Sequence, residues 1–224
     1  MVEGDDLAAL ISAAIELEDG DVVVVAQKAV SKAEGRVVRL ADVEPSPEAR
    51  DLAGEEDPRR LEVILRESRR LVRTRPPLVI AETRHGFVCA SAGVDSSNAP
   101  EADSVVLLPL DPDASAERIR ARLAPSVAVI VADSFGRAWR QGTTDVAIGC
   151  AGLAPLLDLN GVRDRNGYEL HATVIAVADE LAGAAQLVMG KTDGVPAAVI
   201  RGFEARGSGT AREIVMPPER DLFR

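Results

Sequence analysis

Two stretches of this chain carry apolar side chains on both faces of a pleated strand: residues 22–25 (VVVV) and residues 127–132 (VAVIVA). Runs dominated by β-branched residues fit a buried pleated backbone better than a helix. They predict buried strands over residues 21–25 and 126–132, the second ending at Asp133. Around them, helical patterning predicts helices over 5–17, 61–71, 115–123 and 179–189. The first would present Leu7, Leu10, Ile11, Ala14 and Ile15 on one face behind acidic cap candidates, and the third would be capped by Asp113 or Ser115. Further strands are expected over 78–81 and 86–90, as a hairpin-like pair, and over 104–108, 172–178 and 195–201. Residues 44–60, rich in proline and acid, read as a surface segment with a short helix. No internal repeat or low-complexity tract interrupts the pattern. Strands outnumber helices, and hairpin-like neighbours mix with helical crossovers. The expected class is α+β, with mixed or antiparallel sheets and packed helices.

The 224 residues suffice for one large domain or two small ones. The net charge of −10 argues against a polyanionic partner, and 3% aromatic content leaves few platforms for stacking bases. The densest basic cluster is residues 66–75 (RESRRLVRTR). No apolar run is long enough to span a membrane, and the start has no basic region before an apolar stretch. Cys89 and Cys150 each lie in an apolar run and read as buried free thiols. Cytoplasmic localisation is the expectation that follows.

Residues 190–192 spell Gly-Lys-Thr, the tail of a phosphate-binding P-loop. The first glycine of that motif would fall at position 185, which is Ala185. The order of elements is also reversed, with a helix before Gly190 and a strand after it, so the backbone cradle of a helix N-terminus is missing. Gly190 instead suits a left-handed helix cap, which leaves Lys191 as a side chain able to reach phosphate. Two other sites carry acid. Asp95 in GVDSSN and Asp133 in ADSFGR each follow a buried strand beside hydroxyl residues and glycine. Such oxygens suit a hard cation, although aspartate at a strand end is also a common turn-former. Two carboxylates within ~4 Å repel by about 4 kcal/mol at an effective dielectric near 20, a cost that a cation between them removes. After the first buried strand, Lys28, Lys32 and Arg36 recur at helical spacing, as a phosphate contact or a solvated face. His85 and His171 are isolated from any nucleophile.

Four stretches, AQKAVSKAEGR, ETRHGFVCASAGVDSSN, ADSFGRAWRQGTTDVAIG and LVMGKTDGVPAAVIRG, together resemble the coenzyme F420:L-glutamate ligase family, in order and over nearly the whole chain. The resemblance implies a GTP-dependent, Mg²⁺- or Mn²⁺-dependent ligase, with K⁺ as a further candidate ion. Such enzymes join L-glutamate to the deazaflavin precursor through an acyl phosphate and extend it by γ-linkage. It also implies a homodimer, and a mixed α/β fold that is neither P-loop nor ATP-grasp. A single ligase domain over 1–224 is expected, built as two intertwined subdomains. By the same resemblance Asp95, Asp133 and Ser134 are metal ligands, with Asp95 and Asp133 at the catalytic centre. Gln27, Lys28, Lys32, Asn98, Gly190 and Lys191 fall in nucleotide-contacting segments. Family members usually open with a strand and a Gly-Leu-Pro-type turn. Only Met1 to Glu3 precede Gly4 here, so part of the guanine-side pocket is expected to be missing, or the start is misplaced. Actinobacterial relatives carry an additional C-terminal flavin-binding domain; with the sequence ending at Arg224, a stand-alone ligase or an excised domain is expected. Three alternatives keep the fold and change the role: a non-catalytic nucleotide- or metal-binding regulator, a structural subunit, or another carboxylate–amine ligase.

Overall fold

The computed structural model describes residues 1–123, 126–205 and 207–222. In chain order the elements are α1 (Leu7–Ala14), β1 (Val22–Ala26), α2 (Gln27–Ala33), β2 (Val37–Arg39), α3 (Pro47–Ala53), α4 (Pro58–Glu67), β3 (Ser68–Arg75), β4 (Leu78–Thr83), β5 (Val88–Ala90), β6 (Ser104–Val106), α5 (Pro112–Arg120), β7 (Ala128–Arg137), β8 (Arg140–Ala151), β9 (Leu157–Asp158), β10 (Val174–Ile175), α6 (Val177–Met189) and β11 (Ala197–Ile200). Strands and helices mix as the α+β expectation requires. Among the described residues no helix is long and apolar enough to cross a membrane.

The central sheet has the order β11-β1-β7-β8. The two apolar runs pair in parallel at its middle, Val22 opposite Ala128 through Ala26 opposite Ala132. Position in the sheet explains their composition, because a central strand covered on both faces has no side to give to water. Val23, Val25, Val129 and Val131 pack with Leu7 and Ile11 of α1 and Ile119 of α5. Val22, Val24 and Ile130 pack with Leu181 and Ala185 of α6. Each valine, leucine or isoleucine among them contributes roughly 1.5–3 kcal/mol by leaving water. A separate cluster joins Leu61 and Ile64 of α4, Ala49 of α3, Val79 and Ala81 of β4 and Val105 of β6. It gathers the β3-β4-β5 sheet and the β2-β6 ribbon, which are inserted between α2 and α5.

The edge strand β8 is closed by side chains. The N–H groups of Asp145, Ala147 and Cys150 donate to Gln186 Oε1 at 3.1 Å, Asp179 Oδ1 at 2.9 Å and Asp113 Oδ1 at 2.9 Å. The step from two residues to three follows from a bulge. Val131 faces Gly149 and Ala132 faces Ala147, which leaves Ile148 over. A Cβ on Gly149 would sit 2.2 Å from the Pro112 carbonyl oxygen, so glycine lets α5 approach.

Several elements differ from expectation. β7 does not end at Asp133 but runs on to Arg137 and turns into β8, whose polar first half hides its strand character. The second expected helix stops at Glu67, where Ser68 Oγ donates to the Ile64 carbonyl, and β3 begins. α5 is capped by Asp111, which accepts from Ala114 N at 3.0 Å. Asp113 is drawn away from capping to accept from Cys150 N and Ala211 N. Only Val174–Ile175 of 172–178 is strand, because α6 starts at Val177. α1 ends at Ala14 and leaves Leu10 and Ile15 exposed. Both cysteines are buried and free, their thiols pushed up to about 12 by burial.

Asp21, 1% exposed, directly precedes β1 and accepts from Arg201 Nε at 2.9 Å and Nη2 at 2.8 Å, just past β11, which ties that end of the β1–β11 pair together. The Arg201 hydrogen bonds hold this carboxyl below its usual range, against the upward push of burial. A depressed folded pKa stabilises above the unfolded value of about 3.9 and loses that contribution as pH falls through the folded value. Asp21→Asn should therefore lower the melting temperature at pH 7, and the gap to wild type should close below about pH 4. Melting curves from pH 7 to pH 3 test this. A gap that stays constant would place the effect in packing alone.

Candidate functional site

Because β1 and β7 are parallel, their C-terminal ends lie together, and β11, antiparallel to β1, begins at the same end. Ala26 N donates to the Pro196 carbonyl at 2.8 Å, which brings the α6–β11 loop beside the start of α2. The inserted cluster contributes the turn after β5 and the segment from Asp95 to Asn98. Together these form a cavity of about 600 Å³. Gln27, Lys28, Lys32, Asp95, Asn98, Asp133, Ser134, Gly190 and Lys191 all line it.

Asp95 is fixed by its backbone, donating to Val106 O at 3.0 Å and accepting from Val106 N at 2.8 Å. Its carboxylate meets Lys28 Nζ at 2.6 Å and Ser97 N at 2.7 Å. Burial pushes its pKa up, but the Lys28 and Ser97 hydrogen bonds outweigh that and hold it below the usual range. Asp133 lies half-buried at the cavity and is pushed up to about 6, chiefly by burial and further by Asp145 and Asp95. The Ser134 N–H and Lys28 act in the other direction. Two carboxylates on one cavity thus differ in protonation tendency because one has a cation in contact and the other lacks it.

Lys28 and Lys32 lie one turn apart on α2. Lys32 has no ion-pair partner among the described residues, and burial followed by Lys28 lowers its pKa. Arg36 does not extend this face. α2 ends at Ala33, and Arg36 donates to Leu108 O at 2.9 Å and Glu67 Oε2 at 2.8 Å. Gln27 is 2% exposed, and its Nε2 donates to Ser31 Oγ at 2.7 Å and Leu107 O at 2.8 Å, so its amide braces the helix start. Asn98 is exposed, with a φ of 54°. His85 and His171 stay outside the cavity. His85 Nε2 lies 2.9 Å from Pro109 O, and the His171 ring meets Tyr168 edge-on.

Two lining residues were missed. Asp145, 7% exposed, pairs across the hairpin with Ser134, accepts the Ser134 hydroxyl proton and lies 3.9 Å from Lys191 Nζ. The signal was the alternation of TTDVAIG after a glycine turn, which places Asp145 once β8 is read as the partner of β7. Arg60 reaches the cavity from α4, far from the other motifs in sequence. Among the described residues no three Asp, Glu, His or Cys side chains converge as a metal cage.

Lys191 is turned toward the site, its Nζ donating to Ser134 Oγ. The preceding Gly190 closes α6 with φ 60° but ψ −163°. The expected left-handed cap is therefore corrected: the φ is positive, but the pair lies in a region essentially restricted to glycine. A Cβ there would also fall 2.3 Å from Asp193 Oδ2. Gly190→Ala should cost roughly 1–3 kcal/mol in denaturant unfolding. Lys191→Ala, at a side chain 60% exposed, should stay within about 0.5 kcal/mol of wild type. Equal losses at both positions would contradict the backbone origin of the first.

Residues 1–202 match the family model described as F420-0:Gamma-glutamyl ligase. The coenzyme F420:L-glutamate ligase of Methanopyrus kandleri is 48% identical over 99% of this chain and 92% of its own length. That of Methanothermobacter thermautotrophicus is 46% identical over 99% and 93%. The Archaeoglobus fulgidus protein of the same name is 42% identical over 99% and 91%. With a match of this extent, the chain belongs to the F420-0:Gamma-glutamyl ligase family.

Proposed function

We propose that this chain is a ligase that joins L-glutamate to the precursor of coenzyme F420 by an amide bond, using GTP and a divalent cation, and extends the product by γ-linkage. The observation that carries this reading is the convergence of four distant motifs on one cavity in a chain of this family. The substrates are small and anionic, and the net charge of −10 makes local cations necessary. Lys28, Lys32 and Lys191 supply them at the cavity.

The chemistry follows from the weakness of a carboxylate as an electrophile. An oxygen of the acceptor carboxylate attacks the γ-phosphorus of GTP, the bond to the β,γ-bridging oxygen breaks, and GDP leaves. The glutamate amine then attacks the acyl carbon, the C–N bond forms, inorganic phosphate departs, and the amine loses its proton. Phosphoryl transfer needs alignment and charge neutralisation more than a covalent group of the enzyme. Lys28 and Lys32 on α2 suit the polyphosphate, and Lys191 suits the end nearest Ser134 and Asp145.

The oxygen-rich wall of Asp95, Asp133 and Ser134 fits Mg²⁺ or Mn²⁺, which are held by one or two carboxylates together with substrate phosphates. Asp133, pushed up to about 6 without a contacting cation, is a group that a cation would return to its ionised form. Lys28 stands against Asp95 at 2.6 Å, where positive charge is already accepted. When bound, the metal supplies positive charge to phosphate oxygens. A homodimer on this reading would cover apolar side chains such as Leu187 and Val188 of α6, 85% and 71% exposed.

The test is incubation with F420 precursor, L-glutamate, Mg²⁺ and either GTP or ATP, reading product mass and nucleoside diphosphate. Glutamyl adducts formed with GTP are expected. Absence of diphosphate release with both acceptor and amine present would leave a binding protein instead. Asp95→Asn and Asp133→Asn should each weaken Mn²⁺ binding by calorimetry and reduce turnover at least 100-fold, a loss of about 2.7 kcal/mol in transition-state stabilisation. Unchanged Mn²⁺ affinity in both variants would remove these carboxylates from the metal site.

A further inference from the structure

One cation on the cavity wall is not used by the chemistry above. Arg60 sits on α4 in the inserted cluster, and its Nη2 donates to Ser91 Oγ at 3.3 Å. Among the described residues it has no carboxylate partner. Its neighbour Arg59 shows the usual arrangement, pairing with Asp57 at 2.5 Å and Asp103 at 3.1 Å. In a chain of net charge −10, a half-buried arginine that lines a cavity of about 600 Å³ without a carboxylate is set apart from the surface ion pairs.

The residue it touches is also unusual. Ser91, Ala92 and Gly93 have φ values of 55°, 51° and 74° in succession. Two of the three are not glycine, and backbones of this kind persist only where the surroundings over-determine them. The surroundings here do so. Ala92 is 2% exposed within the α3–α4–β4 cluster, and a Cβ on Gly93 would sit 2.6 Å from Leu108. Val94 N closes the turn on the Ser91 carbonyl at 2.9 Å. The turn therefore holds Ser91 on the cavity wall, four residues before Asp95, and Ser91 holds the guanidinium.

We propose that Arg60, braced by Ser91, binds a carboxylate of the amino-acid substrate that is not consumed in the reaction. A guanidinium presents a planar fork that matches a carboxylate with two parallel hydrogen bonds, whereas an ammonium is a point charge. The ammonium groups of Lys28 and Lys32 share α2 near Asp95, and suit a polyphosphate. The guanidinium comes from a different element and a different hydrophobic cluster, so the two anion types meet different chemistry on the same cavity. Glutamate carries two carboxylates that survive attack by its amine, and one of them needs a partner inside a cavity that also holds carboxylates of the protein.

This assignment rests on the ligase reading, and steady-state kinetics separates the two. Arg60→Gln and Arg60→Lys are compared with wild type, varying L-glutamate and GTP in turn and checking melting temperature. Loss of a charge-assisted hydrogen bond of about 1.5–3 kcal/mol predicts a rise in the glutamate KM for Arg60→Gln of about tenfold or more. The GTP KM and the melting temperature should stay close to wild type. Arg60→Lys should recover only part of the loss, because it restores charge without the fork. Ser91→Ala, which frees the guanidinium without removing it, should show a smaller rise in the same constant. Wild-type protein that makes no glutamyl product would overturn the ligase reading itself. Active wild type with an Arg60→Gln effect confined to the GTP KM would make Arg60 a phosphate contact. Active wild type with no change in either constant would make it a solvated side chain, and both results overturn the proposal.

Discussion

The parallel pairing of β1 with β7 is the constraint on which the rest depends. Parallel strands place their C-terminal ends on the same side of the sheet, and a crevice outside those ends is where loops can gather around a ligand. Here three segments meet at that end. α2 begins at the end of β1, the acidic part of β7 passes the same point, and antiparallel β11 forces its preceding loop to start there. The apolar packing of both faces holds this geometry rigid, so side chains separated by more than 150 positions share one cavity.

Charge within that cavity is arranged in opposition. Asp95 is in contact with Lys28, whereas at Asp133 burial and two like-charged neighbours outweigh the Ser134 N–H and the more distant Lys28. Asp145 is committed to Ser134 and faces Lys191 across 3.9 Å. In a protein of net charge −10, a cavity that accepts an anion needs cations placed on its wall. Lysines on α2 and on the α6–β11 loop, and the arginine on α4, bring cations to the cavity wall from three separate elements. The edge strand that carries Asp145 is itself closed by Gln186, Asp179 and Asp113, which prevents its N–H groups from being left open.

The legibility of the site varied with how local its cause was. Runs such as VVVV and VAVIVA announce themselves because a strand buried on both faces admits no polar residue. Lys28 and Lys32 were visible from helical spacing, and Asp95 and Asp133 from their place after apolar runs. Arg36 was misjudged because the helix ends three residues earlier, where the chain turns into β2. The cap of α5 was misplaced because Asp113 serves a strand and a turn that lie far along the chain. β8 was not read as a strand because its first half is exposed and polar, and Asp145 was lost with it.

The sequence by itself determined the α+β class, the two buried central strands, the free buried thiols and the motifs that mark the family. Each of these depends on residues close together, through side-chain period, β-branching or residue identity. Only the tertiary structure decided that the strands are parallel, that an inserted cluster brings Asp95 and Arg60 to the cavity, and that the exposed Lys191 side chain donates to Ser134. These depend on register and on contacts between distant segments. A local pattern does not encode them, because the same period of apolar residues is compatible with either strand direction and with many partners.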